Sequence, residues 1–299
     1  LILKFMQENI KQFNNQPEKS EKIEEIIESF YKRFPIIAKD LIKKNQDLSD
    51  EKNKKFLDNP DDPSQHEPRW HQWGIITHTK MFEKAYNEET LKYLEQWGIY
   101  NEVQNQMSQE IDSVSKDQLL RIAILFHDLG KFTTRKIKEK LFSFKEHEIA
   151  SGEIIRSSEF SAMLKQEYNL TDAQIEYIAQ CAELHYVFGV IRDQAKKSNG
   201  YNFAFIQSDE FKEQIKQILT QYPNFQLEIG LLFLADTLGK TDIRIEGKDD
   251  EEIESQEAAI NKILEVKGLD PNFINGIKQL PVTCAIMEIY LKMWASQNK

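Results

Sequence analysis

The sequence predicts an all-α protein, on three observations. Among 299 residues there are only 11 glycines and 8 prolines, while Glu, Lys, Gln, Ile and Leu are common; that composition favours helices. Apolar residues recur along most of the chain at steps of three and four, the period of an amphipathic helix. The stretch Leu119–Lys131, LLRIAILFHDLGK, is dominated by apolar residues and runs into an adjacent His127–Asp128 pair. Burying such a pair costs free energy unless something coordinates it.

In chain order, residues 19–44 carry Ile23, Ile26, Ile27, Phe30, Phe34, Ile37 and Leu41 at helical spacing, and Pro35 is expected to kink or divide this helix. Residues 58–70, with three prolines, read as a loop. In the helix that follows, Ile75, His78, Phe82 and Ala85 share one stripe, so His78 faces the core. His71 lies seven residues earlier on the same face. Residues 88–114 suggest one or two helices through Leu91, Leu94, Trp97, Val103, Met107 and Ile111, interrupted at Gly98. Residues 117–129 form the buried helix, with Gly130 as its stop. A basic, partly β-branched connection, KFTTRKIKEKLFSF, comes next.

Residues 145–157 begin another helix with His147, Ala150 and Ile154 on one face. Thr171 caps the next, along which Ile175, Ile178, Ala182 and His185 align. Residues 189–224 are polar and mixed, read as an insertion or lid with a short helix around 209–221. Residues 225–240 return to a buried helix in which Ile229, Leu232, Phe233 and Asp236 share a stripe. Asp249–Glu254 is a solvated acidic break before helical patterns at 255–266 and 281–295. The expected organisation is a helical segment (1–60) packed on a central domain (61–248), followed by C-terminal helices (249–299).

The formal charge of −10 argues against a general nucleic-acid binder, since phosphate backbones are held mainly by Lys and Arg. A local basic pocket for a small anion remains compatible with it. Two cysteines, Cys181 and Cys284, make no disulfide framework, so a reducing, cytoplasmic setting is expected. No apolar run approaches a bilayer span, and LILKFMQENIKQFNN lacks the charged start and small-residue cleavage site of a signal peptide.

Six residues stand out: His78, His127, Asp128, His147, His185 and Asp236. Each falls on, or at the end of, an otherwise apolar stripe. One inward histidine is ordinarily a hydrogen-bonded core residue, and a buried Asp can be a cap. Four of only six histidines placed inward, with two inward aspartates, point instead to a metal centre. Imidazole and carboxylate donors suit Mn, Fe, Ni, Co or Zn, and Mg less well.

The order His, His-Asp, His, His, Asp resembles the HD-domain metal-dependent phosphohydrolases. FHDLGK, KEHEIASGEII, AELHY and LADTLGK are similar to segments of the HD domains of ribonuclease Y and of CCA-adding and poly(A)-polymerase-like enzymes. The resemblance covers about residues 70–245; the segments before 60 and after 250 resemble no family. It implies an HD-type helical bundle with extra N- and C-terminal helices. It further implies one metal ion on His78, His127, Asp128 and Asp236, and a second on His147 and His185, with Asp128 bridging.

Lys131, three residues after Asp128, is placed to reach a substrate phosphate, as this lysine commonly does in the family; the bland alternative is a helix-end lysine. Thr133, Thr134, Arg135, Lys240 and Arg244 are candidates to extend the anion pocket. His71 is either a proton donor or substrate contact, or simply a histidine at a helix start. His66 reads as incidental, and Cys181 as a buried thiol. Glu148 and Glu183 flank histidines as candidate supports.

The function expected is hydrolysis of a phosphate ester or phosphodiester by metal-activated water, with Asp128 and Lys131 central and a small nucleotide or cyclic nucleotide as substrate. Long nucleic acid and membrane are not expected partners. Two alternatives stay open: an HD-fold diiron oxygenase, resembling those that act on inositol or phosphonates, and a non-catalytic metal-stabilised sensor.

Overall fold

The computed structural model describes residues 17–67, 70–138, 141–197, 200–240 and 274–298. Arg244, the acidic run at 249–254 and the helical pattern at 255–266 lie outside the described residues, as does the N-terminal stretch before residue 17. The architecture is all-α, with three small antiparallel hairpins among the described residues.

Helix α1 (Pro17–Asn45) runs on through Pro35, so the expected division there does not occur. Its apolar stripe, Ile23, Ile26, Ile27, Phe30, Phe34, Ala38 and Ile42, is buried. Phe30 meets Phe126 edge-on at 4.8 Å between ring centroids, and Phe34 meets Phe132 at 6.0 Å. Helix α2 (Glu51–Asp58) adds Phe56, stacked on Phe132 at 5.7 Å. These rings bind the N-terminal segment to the core on both sides of the His127–Asp128 pair.

Helix α3 (Ile75–Lys84) passes through a π-helical turn (Ala85–Thr90) into α4 (Leu91–Gln96). Its first turn is capped from the preceding loop, where Asp61 accepts from the Thr77 amide at 2.8 Å and its hydroxyl at 2.6 Å. Helix α5 (Tyr100–Met107) ends before Ile111. The helix expected to continue to 114 is instead a hairpin, β1 (Glu110–Ile111) with β2 (Val114–Ser115). Asp112 and Ser113 sit at φ 48° and 68° in its turn, a conformation that ends a helix.

Helix α6 (Lys116–Phe126) opens with a Ser115–Gln118 capping box. Leu119, Leu120 and every residue from Ile122 to Phe126 are buried, so this helix is covered nearly all round. It stops at Phe126, earlier than expected, and His127–Gly130 form a turn. Gly130 is right-handed, at φ −61°, and is not a left-handed stop. Its need is close approach: a Cβ there would overlap the His147 carbonyl oxygen.

After the short α7 (Lys131–Thr134), the basic connection folds as a hairpin, β3 (Lys136–Lys138) with β4 (Leu141–Ser143). Helices α8 (His147–Arg156), α9 (Ser158–Tyr168) and α10 (Asp172–Leu184) follow, the last opened by a Thr171–Gln174 capping box. Then come α11 (Val187–Gln194), hairpin β5–β6 (196–197 with 200–201), α12 (Phe203–Ile206) and α13 (Asp209–Gln221). Helix α13 buries Phe211, Ile215, Ile218 and Leu219.

Helix α14 (Gln226–Gly239) is buried from Leu227 to Thr237 and is covered by α15 (Ile274–Gln297), whose Tyr290 hydroxyl donates to the Gln226 carbonyl at 2.6 Å. At its end a Cβ on Gly239 would lie 2.6 Å from the Phe82 backbone, so glycine lets α14 and α3 touch. Among the described residues no helix is long and apolar enough to cross a membrane.

Phe30 is fully buried against Phe34 and Phe126. Phe30→Ala is expected to cost about 3–5 kcal/mol, read as a lower denaturant midpoint; a change within error would show that α1 does not brace the core.

Candidate metal centre

Five helices end or begin at one point. His127 and His185 each follow the last residue of a buried helix, α6 and α10, and each ring Nδ1 donates to the carbonyl three residues back, Ile124 and Ala182, at 2.7 Å. His147 opens α8 with Nδ1 2.8 Å from the Phe144 carbonyl, and His78, in the first turn of α3, has Nδ1 3.4 Å from the Gly239 carbonyl. For His127, His147 and His185 these backbone acceptors fix the tautomer and leave the Nε2 lone pair for the centre. The two glycines described above set the spacing, Gly130 between the His127–Asp128 turn and α8, Gly239 between α3 and α14.

Asp128 lies in the middle and is 1 % exposed. Its Oδ1 faces His147 Nε2 at 3.3 Å and His185 Nε2 at 4.0 Å. Its Oδ2 faces His127 Nε2 at 3.1 Å and His78 Nε2 at 3.7 Å. Lys131 Nζ pairs with Oδ2 at 2.7 Å, while Oδ1 and His127 Nε2 have no hydrogen-bond partner. The donor atoms form two compact groups sharing this carboxylate: His78, His127 and Asp128, and Asp128, His147 and His185. Asp236 adjoins the first, with Oδ1 3.0 Å from His78 Nε2.

Such a set of buried imidazole and carboxylate atoms could hold a metal ion. Protonation agrees. Burial holds His185 well below the usual histidine range and lowers His78. Burial alone would raise Asp128, but its neighbours His127 and Lys131 outweigh it and hold the carboxyl well below its normal range. Asp236 is lowered in the same way, chiefly by Lys240 and His78. Neutral imidazole and ionised carboxylate are the forms that bind metal.

Lys131 Nζ lies 2.7 Å from Asp128 Oδ2, and Lys240 Nζ 2.7 Å from Asp236 Oδ2. Both flank a cavity of about 460 Å³, walled also by Trp70, Phe144 and Tyr186, a size that suits a small molecule. His71 lines it too, buried, with Nδ1 unpartnered.

Arg135, expected in the anion pocket, is turned elsewhere. It donates to Asn53 Oδ1 at 2.7 Å and Gln65 Oε1 at 2.8 Å, between the Phe56 and Phe142 rings. It clips α2 to the β4 strand, and burial lowers its pKa to about 10. The Thr133 and Thr134 hydroxyls are spent on the Gly130 carbonyl. Glu183 pairs with Arg156 of α8, not with His185, because it points along the α8–α10 contact. Glu148 Oε2 does approach His147 Nδ1, at 3.2 Å. Cys181 lies outside both donor groups, and burial pushes its thiol well up.

His66 is the residue that sequence reading passed over. It is 1 % exposed and stacks on His71 at 4.0 Å. Its Nδ1 donates to the Trp73 carbonyl at 2.9 Å, leaving Nε2 to accept from Lys131 Nζ at 3.0 Å. Nothing in the Pro-rich loop marks it, since a loop has no periodicity to reveal an inward side chain.

Burial also holds His66 and His71 well below the usual histidine range. For a histidine whose folded pKa lies below its unfolded value of about 6.5, stability is full above that pH and declines as pH falls through it. The lowered Asp128 and Asp236 act in the same direction, contributing above about pH 4 and losing it below. Metal-stripped protein is therefore expected to have its highest melting temperature above about pH 6.5 and to lose stability continuously on acidification. A flat or rising melting temperature between neutral pH and pH of about 4.5 would contradict this.

A family model described as the HD domain matches residues 71–238, more than half of the chain and the span that contains all six metal-competent residues. A comparison with curated proteins finds no match. With its paired histidine and aspartate at the end of a buried helix and this match around them, the chain belongs to the HD-domain family.

Proposed function

We propose that this protein hydrolyses a phosphate ester or phosphodiester, most fittingly that of a nucleotide or cyclic nucleotide, at a centre of two divalent metal ions. The observation that carries the reading is the division of Asp128: one oxygen toward His147 and His185, the other toward His127 and His78. A carboxylate so placed suits a bridge between two ions, with Asp236 completing the first set. Bound there, the ions would supply Lewis acidity and an activated water.

The chain's own side chains have definite tasks in this reading. Lys131 and Lys240 bring two ammonium groups to the cavity beside Asp128 and Asp236. When those carboxylates engage metal, the lysines are free to neutralise phosphoryl oxygens. His66 holds Lys131 in place. Trp70, Phe144 and Tyr186 offer ring surfaces on which a nucleobase can stack. The cavity admits one nucleotide rather than a polymer, in keeping with the chain's net charge of −10. Cys181 and Cys284 form no disulfide, which fits a cytoplasmic setting.

Asp128→Ala is expected to lower hydrolysis of aryl phosphates and cyclic nucleotides by at least about a hundredfold, the loss that disturbing a ligand's surroundings alone can cause. The check is a phosphoester panel with several divalent metals. Undiminished activity in the variant would refute the site. Iron-dependent oxygen uptake coupled to C–C or C–P cleavage, in place of phosphate release, would refute the reaction.

A further inference from the structure

One tyrosine ring away from the metal-competent histidines, the same cavity has a second polar wall. Tyr186 lies 6.2 Å from the His147 ring and 6.3 Å from the His185 ring. Its hydroxyl accepts from Arg192 Nη2 at 3.1 Å. Arg192 Nη1 donates to Gln279 Oε1 at 2.9 Å, tying α11 to α15. The guanidinium is shielded by Phe233, with Cζ 5.4 Å from the ring centroid. Arg192 is 3 % exposed and Gln279 1 %, and both line the cavity.

Two donors on this wall have no hydrogen-bond acceptor: Arg192 Nε and Gln279 Nε2. The other buried cations of the cavity are matched by buried carboxylates, Lys131 by Asp128 and Lys240 by Asp236. Arg192 differs. The carboxylate beside it is Asp193, 3.7 Å from Nε and 48 % exposed. A guanidinium taken out of water with neutral partners and a half-solvated acid is under-compensated. Because the Tyr186 oxygen accepts from Arg192, its own proton is left to donate. The two orphaned groups on this wall, and the Tyr186 proton, are donors. The complementary group is one that only accepts and carries negative charge, as phosphate and carboxylate oxyanions do. A nucleobase edge, which mixes donors and acceptors, is a poorer complement.

We propose that Arg192, Gln279 and Tyr186 form an oxyanion subsite, and that the substrate carries, besides the ester reacting beside Asp128, a second phosphate or carboxylate group held there. The second half of this rests on the function proposed above; the anion site itself does not.

The test is calorimetric titration of the metal-stripped full chain with inorganic phosphate, and separately with acetate, at constant ionic strength. Wild type is expected to bind one anion per chain. Tighter phosphate binding assigns a phosphoryl group, and tighter acetate binding a carboxylate. Arg192→Gln is expected to weaken binding about tenfold or more, as loss of a charged hydrogen-bond donor does. Gln279→Leu keeps the cation and is expected to weaken binding severalfold, so it decides the matter if Arg192→Gln does not fold. Absence of binding by wild type, or equal binding by the folded variants, overturns the subsite.

For the substrate, the ratio of kcat/KM for a nucleoside 3′,5′-bisphosphate to that for the matching monophosphate is expected to exceed one and to drop about tenfold in Arg192→Gln; an unchanged ratio overturns that half. Phosphate binding by a wild type with no hydrolytic activity would leave the subsite standing while the proposed reaction fell.

Discussion

A buried, ionised carboxylate ringed by four imidazoles is the constraint on which the rest of the structure depends. Asp128 is almost wholly shut from solvent, and the ammonium of Lys131 meets its Oδ2 at 2.7 Å. Left ionised there, it is offset by the Lys131 ammonium, and the imidazole nitrogens facing it call for a cation between them. Each of those nitrogens arrives on a separate element, so the carboxylate acts as the common end point of α3, α6, α7, α8 and α10.

Orientation is set by backbone rather than by further side chains. The three rings of His127, His147 and His185 all donate Nδ1 to a carbonyl three residues earlier. For His127 and His185 the acceptor lies in the last turn of a helix, where carbonyls have no intrahelical partner. Terminating a helix at a ligand thus satisfies the backbone and fixes the tautomer together. Distance is set by packing: a Cβ at Gly130 or Gly239 would collide with the neighbouring backbone, so glycine lets those segments close on the site. Stability and site geometry therefore share the same residues, which is why the aromatic ladder from Phe30 to Phe132 matters beyond the fold.

The helical class was legible because few glycines and prolines and a persistent three-to-four spacing leave little room for sheet. The six polar positions were legible for a related reason: a His or Asp on an apolar stripe contradicts its surroundings, and the contradiction shows in a linear reading. Local boundaries were less so. Ile111 fits a helical spacing, yet the Asp112–Ser113 turn makes a hairpin there. Arg135 looked like a solvated basic residue near the site and is instead buried among Asn53, Gln65 and two rings. His66 lies in a loop, where no period betrays direction. The Arg192–Gln279 contact joins residues 87 apart, and nothing local to either residue announces the other. Long-range pairing of ordinary polar residues is what a single sequence hides best.

The most direct test of Asp128 as a shared ligand is the number of ions it gathers. Metal-stripped protein, brought to equilibrium with Mn²⁺ or Co²⁺ by dialysis and assayed by elemental analysis, is expected to hold two ions per chain at saturation. Saturation at one ion, or no binding at all, would contradict a carboxylate divided between two metal sites.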